Sequence, residues 1–216
     1  MTSSTARIGY ATVAFLSVGV ALYSFRFAGV FWNIWPLIGP EIAGVVKSVP
    51  FQALTHMLIA PIALLVGPFQ FWAGLRSRQP ALHRFMGRTY VAACTIAGIA
   101  ALATAPFASG GPVAGLGFGI LAVLWVSTTL AAANAAMQRN FVRHRRLMRY
   151  SFAMTFGAVT LRLQIPIGII FFHFSSYGPL SVWLAYTSWI PNVIAVWMYN
   201  TLRRSRDIGG MQPAAA

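Results

Sequence analysis

Six apolar runs separated by short polar or basic stretches set the organisation of this chain. Ile8 to Phe25 holds eighteen residues without a charge before Arg26, long enough to span a hydrocarbon core of about 30 Å as a helix. Five further runs follow, with their few polar residues at helical rather than alternating spacing. The pattern predicts an all-α, polytopic membrane bundle of six transmembrane helices at about 8–25, 51–75, 89–108, 116–137, 151–174 and 181–202. Residues 1–206 form one integral membrane domain in this reading, and 207–216 a disordered tail. The first run also has the look of a signal peptide, but it is long for one and no A-x-A site follows, so it is read as a span. Residues 26–50 mix Trp32, Trp35, Glu41 and Lys47 with Pro36, Pro40 and Pro50, and are expected to lie over the bundle at the interface.

Polar residues inside these runs fall into stripes. In the second span His56, Ala60, Ala63, Gly67, Gln70 and Gly74 share one side, a narrow small-and-polar face that should turn inward. Pro61 and Pro68 should bend that helix. In the fifth span Ser151, Thr155, Arg162 and His173 point in nearly one direction at 100° per residue, and His144 returns to it. In the sixth, Ser188, Asn192 and Tyr199 align. Pro166 removes the amide that would bond the Arg162 carbonyl, and Pro191 does the same to Thr187. The interior is expected to be lined by the second, fourth, fifth and sixth spans.

Composition sharpens this picture. The chain is 58% hydrophobic and 8% charged, against roughly 45–50% and 25% in soluble domains. Its net charge of +14 would suggest nucleic acid in a soluble chain, but the arginines sit in short connections between apolar runs, where they orient spans. Thirteen basic residues (Arg7, the arginines of 76–88, 139–149 and 203–206) gather on one side, against Arg26 and Lys47 on the other. Both termini are therefore expected in the cytoplasm of a bacterial inner membrane, with 26–50, 109–115 and 175–180 outside. The two acids, Glu41 and Asp207, lie outside the apolar runs, which excludes paired-carboxylate catalysis and carboxylate-rich metal sites. A lone Cys94 excludes an internal disulfide, and no Walker loop, nucleophile elbow or HExxH marks an enzyme.

Chemistry then centres on Arg162. An arginine at mid-span costs about 2.5–3.5 kcal/mol on an insertion scale and by default marks a functional site. With no intramembrane acid to pair it, its partners are neutral groups, among them Asn192 and carbonyls freed by proline, or an anionic ligand. The expected ligand pocket comprises Arg162, Asn192, His56, Gln70 and His173, and takes a small anionic or amphipathic molecule. No cofactor is predicted. Haem b ligated by His56 and His173 is the alternative, within a haem- or quinone-linked redox protein; a transmembrane haem wire is excluded, since His144 and His173 are separated by about 43 Å of helix. A third reading is an accessory subunit of a larger membrane complex. The basic connections, with His83, Arg84, Arg88, His144, Arg145 and Arg149, suit anionic lipid headgroups at about 1 kcal/mol per arginine.

The runs His83-Arg84-x-x-Gly87-Arg88 and His144-Arg145-Arg146-x-Met148-x-Tyr150-Ser151, with Leu161-Arg162 and Trp189-x-Pro191-Asn192, resemble a family of predicted bacterial integral membrane proteins of unknown function. The resemblance covers His56 to the end of the chain. It implies that His56, His83, His144, Arg162 and Asn192 are family features, and it brings no established activity. That family often places an acid about a turn beyond the asparagine; Ala195 to Tyr199 contains none. Since His-Arg-x-x-x-Arg opens two helices of the same direction, a tandem two-helix repeat is also expected.

Overall fold

Prolines and glycines place most of the helix boundaries. The structure, a computed structural model, describes residues 4–34 and 40–209, with 41 and 203–209 as backbone only. Helix α1 (Ser4–Ser24) runs on into a 3-10 segment, Phe25–Trp32, which ends at Asn33 in the left-handed conformation. Helix α2 is Pro40–Ser48 and α3 is Pro50–Val66, each opening on proline, whose fixed φ and missing amide cost nothing in a first turn. A 3-10 turn at Pro68–Phe71 leads to α4 (Ala73–Arg78), and Pro80 opens α5 (Pro80–Thr104). Helix α6 (Gly111–Met137) follows, then α7 (Phe141–Phe171), α8 (Tyr177–Thr187) and α9 (Ile190–Gly209). Asn140 caps α7, its side chain accepting from the Arg143 amide at 3.1 Å. No strand occurs among the described residues.

Five helical segments are long and apolar enough to cross a membrane: Ser4–Trp32, Pro50–Phe71, Pro80–Phe107, Gly111–Met137 and Phe141–Phe171. Phe15, Phe51, Ile99, Val123, Phe171 and Trp197 point outward and exposed, a surface that suits lipid and not water. The expected sixth span, 181–202, is not one helix. It is divided between α8 and α9 at Ser188 and Trp189, because Pro191 has no amide for the Thr187 carbonyl. Two more expectations change. The basic connections are largely helical: α4 and the first turns of α5 occupy 76–88, and α7 starts at Phe141 rather than 151. Regular α-helix in the second span ends at Val66 and the segment continues as a 3-10 turn from Pro68 to Phe71, so Gln70 and Gly74 leave the stripe that starts at His56. Within 26–50, α2 is a short helix packed against α3, while Trp35 and Pro36 lie outside the described residues. Of the expected tail, 207–209 continue α9 and 210–216 lie outside the described residues.

Small residues let the helices approach. α3 packs on α5, α5 on α6 and α6 on α7, with Ala53, Ala63, Ala93, Ala97 and Ala132 buried between them. Gly117 sits so close to α8 that a Cβ there would lie 2.9 Å from the Ala185 Cβ and 3.0 Å from its carbonyl oxygen.

A ring of hydroxyls joins α5, α6 and α7 at the buried centre. The Trp125 indole N–H donates to Thr155 Oγ1 at 2.9 Å, Tyr90 Oη lies 2.8 Å from Thr155 Oγ1 and 2.9 Å from Ser151 Oγ, and Ser151 Oγ is 2.6 Å from Thr129 Oγ1. Thr129 in turn donates to the Trp125 carbonyl at 2.7 Å. One proton order satisfies every hydroxyl once as donor and once as acceptor, running Trp125, Thr155, Tyr90, Ser151, Thr129 and back to Trp125. Such a chain polarises each member in the same sense.

The break between α8 and α9 is mended by side chains. Gln164 of α7 donates its amide to the Thr187 carbonyl at 3.1 Å and accepts from the Thr187 hydroxyl at 3.0 Å. Asn192 donates to the Ser188 carbonyl at 3.1 Å, to Thr160 Oγ1 at 2.9 Å and to the Ala153 carbonyl at 3.3 Å. Irregular backbone inside a packed bundle is tolerated where side chains supply such partners.

Candidate functional site

A cavity of about 660 Å³ opens at the end of the bundle away from the arginine-rich helix starts. It reaches from Tyr23 and Arg26 past the stretch of α3 from His56 to Leu64 to the C-terminal half of α7 and the start of α8. Helix α2 contributes Ile42 and Val45. Most of the wall is apolar, from Met57, Leu64, Phe118, Leu121, Met154 and Leu161 among others; Trp125 and Thr155 belong both to the hydroxyl ring and to this wall. The lining thus comes from the first and third expected spans too, not only from the second, fourth, fifth and sixth.

Arg162 reaches this cavity half-buried. One guanidinium nitrogen donates to the Ala158 carbonyl a turn earlier at 2.9 Å, and the other to Ser24 Oγ of α1 at 2.9 Å. Ser24 is buried and spends its own proton on the Val20 carbonyl at 2.7 Å, so its oxygen is free to accept. Both partners are neutral. Arg26, a second cavity residue, stacks its guanidinium over Tyr23 at 4.2 Å and Phe27 at 5.2 Å, and its Nε is buried without a hydrogen-bond partner. Arg26 lies within electrostatic range of Arg162. Among the described side chains, no carboxylate lines the cavity. His56 joins the same wall, its Nδ1 3.0 Å from the Ala97 carbonyl of α5.

The remaining residues of the expected pocket stand elsewhere. Asn192 faces Thr160 and borders a second, shallower groove beside Tyr10 and Arg149. Gln70 is buried against Gly87, its Nε2 without a partner. His173 lies past the end of α7, exposed and with φ 51°, so it does not line the cavity beside His56. The single stripe of α7 is thereby divided: Ser151 and Thr155 enter the hydroxyl ring, Arg162 enters the cavity and His173 faces out.

At the arginine-rich ends, His144 Nδ1 is 2.8 Å from the Ala132 carbonyl, His83 lies within electrostatic range of His144, and Arg149 donates to Asn200 Oδ1 and stacks on Tyr199. Arg84, Arg88 and Arg145 are exposed. No group of three or more His, Cys, Asp or Glu that could hold a metal ion occurs among the described residues.

Arg26, Tyr23, Ser24 and Tyr177 are the cavity residues that sequence reasoning missed. A signal for the first was available, since Arg26 is one of only two basic residues on the sparsely charged side. A family model described as predicted membrane protein (DUF2306) matches residues 53–200, which include His56 and Arg162 but not Tyr23, Ser24 or Arg26. No curated protein and no solved structure matches the chain.

Proposed function

We propose that this chain, which belongs to the DUF2306 family of predicted membrane proteins, binds or moves a small anionic or amphipathic ligand in the cavity around Arg162. The observation that carries this reading is a guanidinium beside a cavity of about 660 Å³ whose hydrogen-bond partners among the described residues, the Ala158 carbonyl and Ser24, are both neutral. That volume lies within the roughly 300–1,000 Å³ of small-molecule sites. A cation in an apolar bundle needs an anion or many dipoles, and the guanidinium has more N–H groups than the two that Ala158 and Ser24 accept. The test compares Arg162→Gln with Arg162→Lys in purified protein, extracting co-purifying amphiphiles for mass spectrometry. Glutamine is expected to keep the fold, since it still hydrogen-bonds, while bound anion falls about tenfold or more; lysine keeps the charge but not the planar fork and should fall in between. Unchanged ligand content in Arg162→Gln would leave Arg162 as a fastener of α1 to α7 and end the proposal.

The proposal carries a topology: six crossings in the inner membrane, with α8 and α9 together as the sixth and both termini cytoplasmic. The count of thirteen basic residues against two supports it. Impermeant thiol reagents should label Ser176→Cys from outside only and Ser77→Cys from the cytoplasm only, in a background lacking Cys94; the reverse pattern would invert the model. A tandem repeat is supported by register, because His83 and His144 each occupy the fourth position of their helices, α5 and α7.

A further inference from the structure

We infer that the cavity takes a single-chain amphiphile with a phosphate-type head, whose two charges are shared by Arg26 and Arg162. The inference rests on the binding reading above and names its ligand class. Two guanidinium groups border one largely apolar cavity. Like charges in a low-dielectric setting repel, so their placement is favourable when an anion sits between them. Arg162 has committed N–H groups to Ala158 and Ser24. The Arg26 guanidinium stacks over Tyr23 and Phe27, and its Nε is buried without a partner, a donor lacking an acceptor. A buried donor in that state costs free energy until an oxygen arrives. A phosphate offers several acceptor oxygens and, as a monoester, carries close to two charges above a pH of about 6; a carboxylate offers one charge.

Size and lining decide the rest of the molecule. About 660 Å³ is the space of a drug-sized ligand rather than of a two-chain phospholipid. Most of the wall, including Leu64, Leu121, Met154 and Ile165, is hydrocarbon and suits one alkyl or isoprenoid chain. Residues before 53 supply the second arginine, so the phosphate preference depends on a segment outside the region shared with the family.

The probes are dodecyl phosphate, dodecanoate, dodecanol and inorganic phosphate, added at pH 8 to the full-length protein in neutral detergent, with thermal midpoint as readout. Ligand that binds only the folded state raises the midpoint with concentration. Dodecyl phosphate is expected to bind about tenfold tighter than dodecanoate, a difference of about 1.4 kcal/mol, with dodecanol and inorganic phosphate weaker still. Arg26→Gln should bring dodecyl phosphate to within about threefold of dodecanoate, while Arg162→Gln should weaken both. Equal binding of the two anions by the wild type, or an unchanged preference in Arg26→Gln, would overturn the inference while leaving the binding reading intact. Binding of neither anion, or binding of both unaffected by Arg162→Gln, would overturn both. Stabilisation by inorganic phosphate equal to that by dodecyl phosphate would remove the alkyl chain from the assignment and overturn it. A preference that emerges only in Glu41→Gln would mean that Arg26 already has its anion within the chain, and would overturn it too.

Discussion

Gly117→Ala is expected to lower the thermal midpoint of the purified protein, whereas Gly119→Ala, two residues along the same helix, is expected to raise it. Alanine improves helix propensity over glycine by about 1 kcal/mol, so the change should stabilise any helical site with room for a methyl group. Position 119 has that room: a Cβ there would meet Leu102 at 3.8 Å and Ala105 at 3.9 Å, ordinary contacts. At 117 it would meet the Ala185 Cβ and the Tyr186 ring at 2.9 Å and the Ala185 carbonyl oxygen at 3.0 Å. Backbone cannot step aside as a side chain can. Tyr186 is moreover tied to the Val113 carbonyl by its hydroxyl at 2.8 Å, so α8 must move as a body. Overpacking of this kind costs about 1–3 kcal/mol, which exceeds the propensity gain. Midpoints shifting in the same direction for both substitutions would show that α6 and α8 do not meet at Gly117.

The second large effect is expected at Thr155. Thr155→Val keeps the shape but strands the buried Trp125 indole N–H and breaks both links that meet at Thr155 in the hydroxyl ring. An unsatisfied buried donor costs about 1–3 kcal/mol; hydrogen bonds measured within membrane bundles average about 0.6 and reach about 1.7, so a loss near 1–2 kcal/mol is expected. Thr155→Ser, which restores the hydroxyl, should recover most of it. Tyr90→Phe should cost less than Thr155→Val, because Thr155 can turn its proton to the Ser151 carbonyl at 3.0 Å and Ser151 keeps Thr129. Thermal midpoints of the three variants decide this, and equal values for valine and serine at 155 would mean that the ring adds nothing to stability.

The apolar runs were legible because lipid exposes a helix to one kind of solvent along its whole length, and five of the expected spans stand as segments long and apolar enough to cross. What the pattern could not resolve was continuity. Thr187 to Pro191 reads as apolar helix, yet one missing amide divides it, and the residues that compensate, Gln164 and Asn192, look in sequence like polar groups waiting for a ligand. The sequence places Asn192 with Arg162, whereas its donors meet Ala153 and Thr160 of α7 and the Ser188 carbonyl in the break. His173 was grouped by extrapolating a 100° rotation past Phe171, where the helix has already ended. Arg162 itself was legible, since a charge in a span must face something polar. Arg26 stands out only as one of two basic residues on its side; its place in the cavity depends on α1 continuing as 3-10 helix beyond Ser24, which no hydrophobic period records.

The dependence of α8 and α9 on Gln164 also has a temporal side. In the proposed six-crossing topology, the divided segment leaves the ribosome with the Thr187 carbonyl lacking an amide from Pro191, a poor candidate for release into lipid by itself. Its mending partner lies in α7, upstream, and so is already synthesised when the divided segment emerges. The order of the chain thus matches the order in which these helices can be safely inserted, and a circular permutant starting at Tyr177 would present the divided segment to the membrane before the helix that completes it.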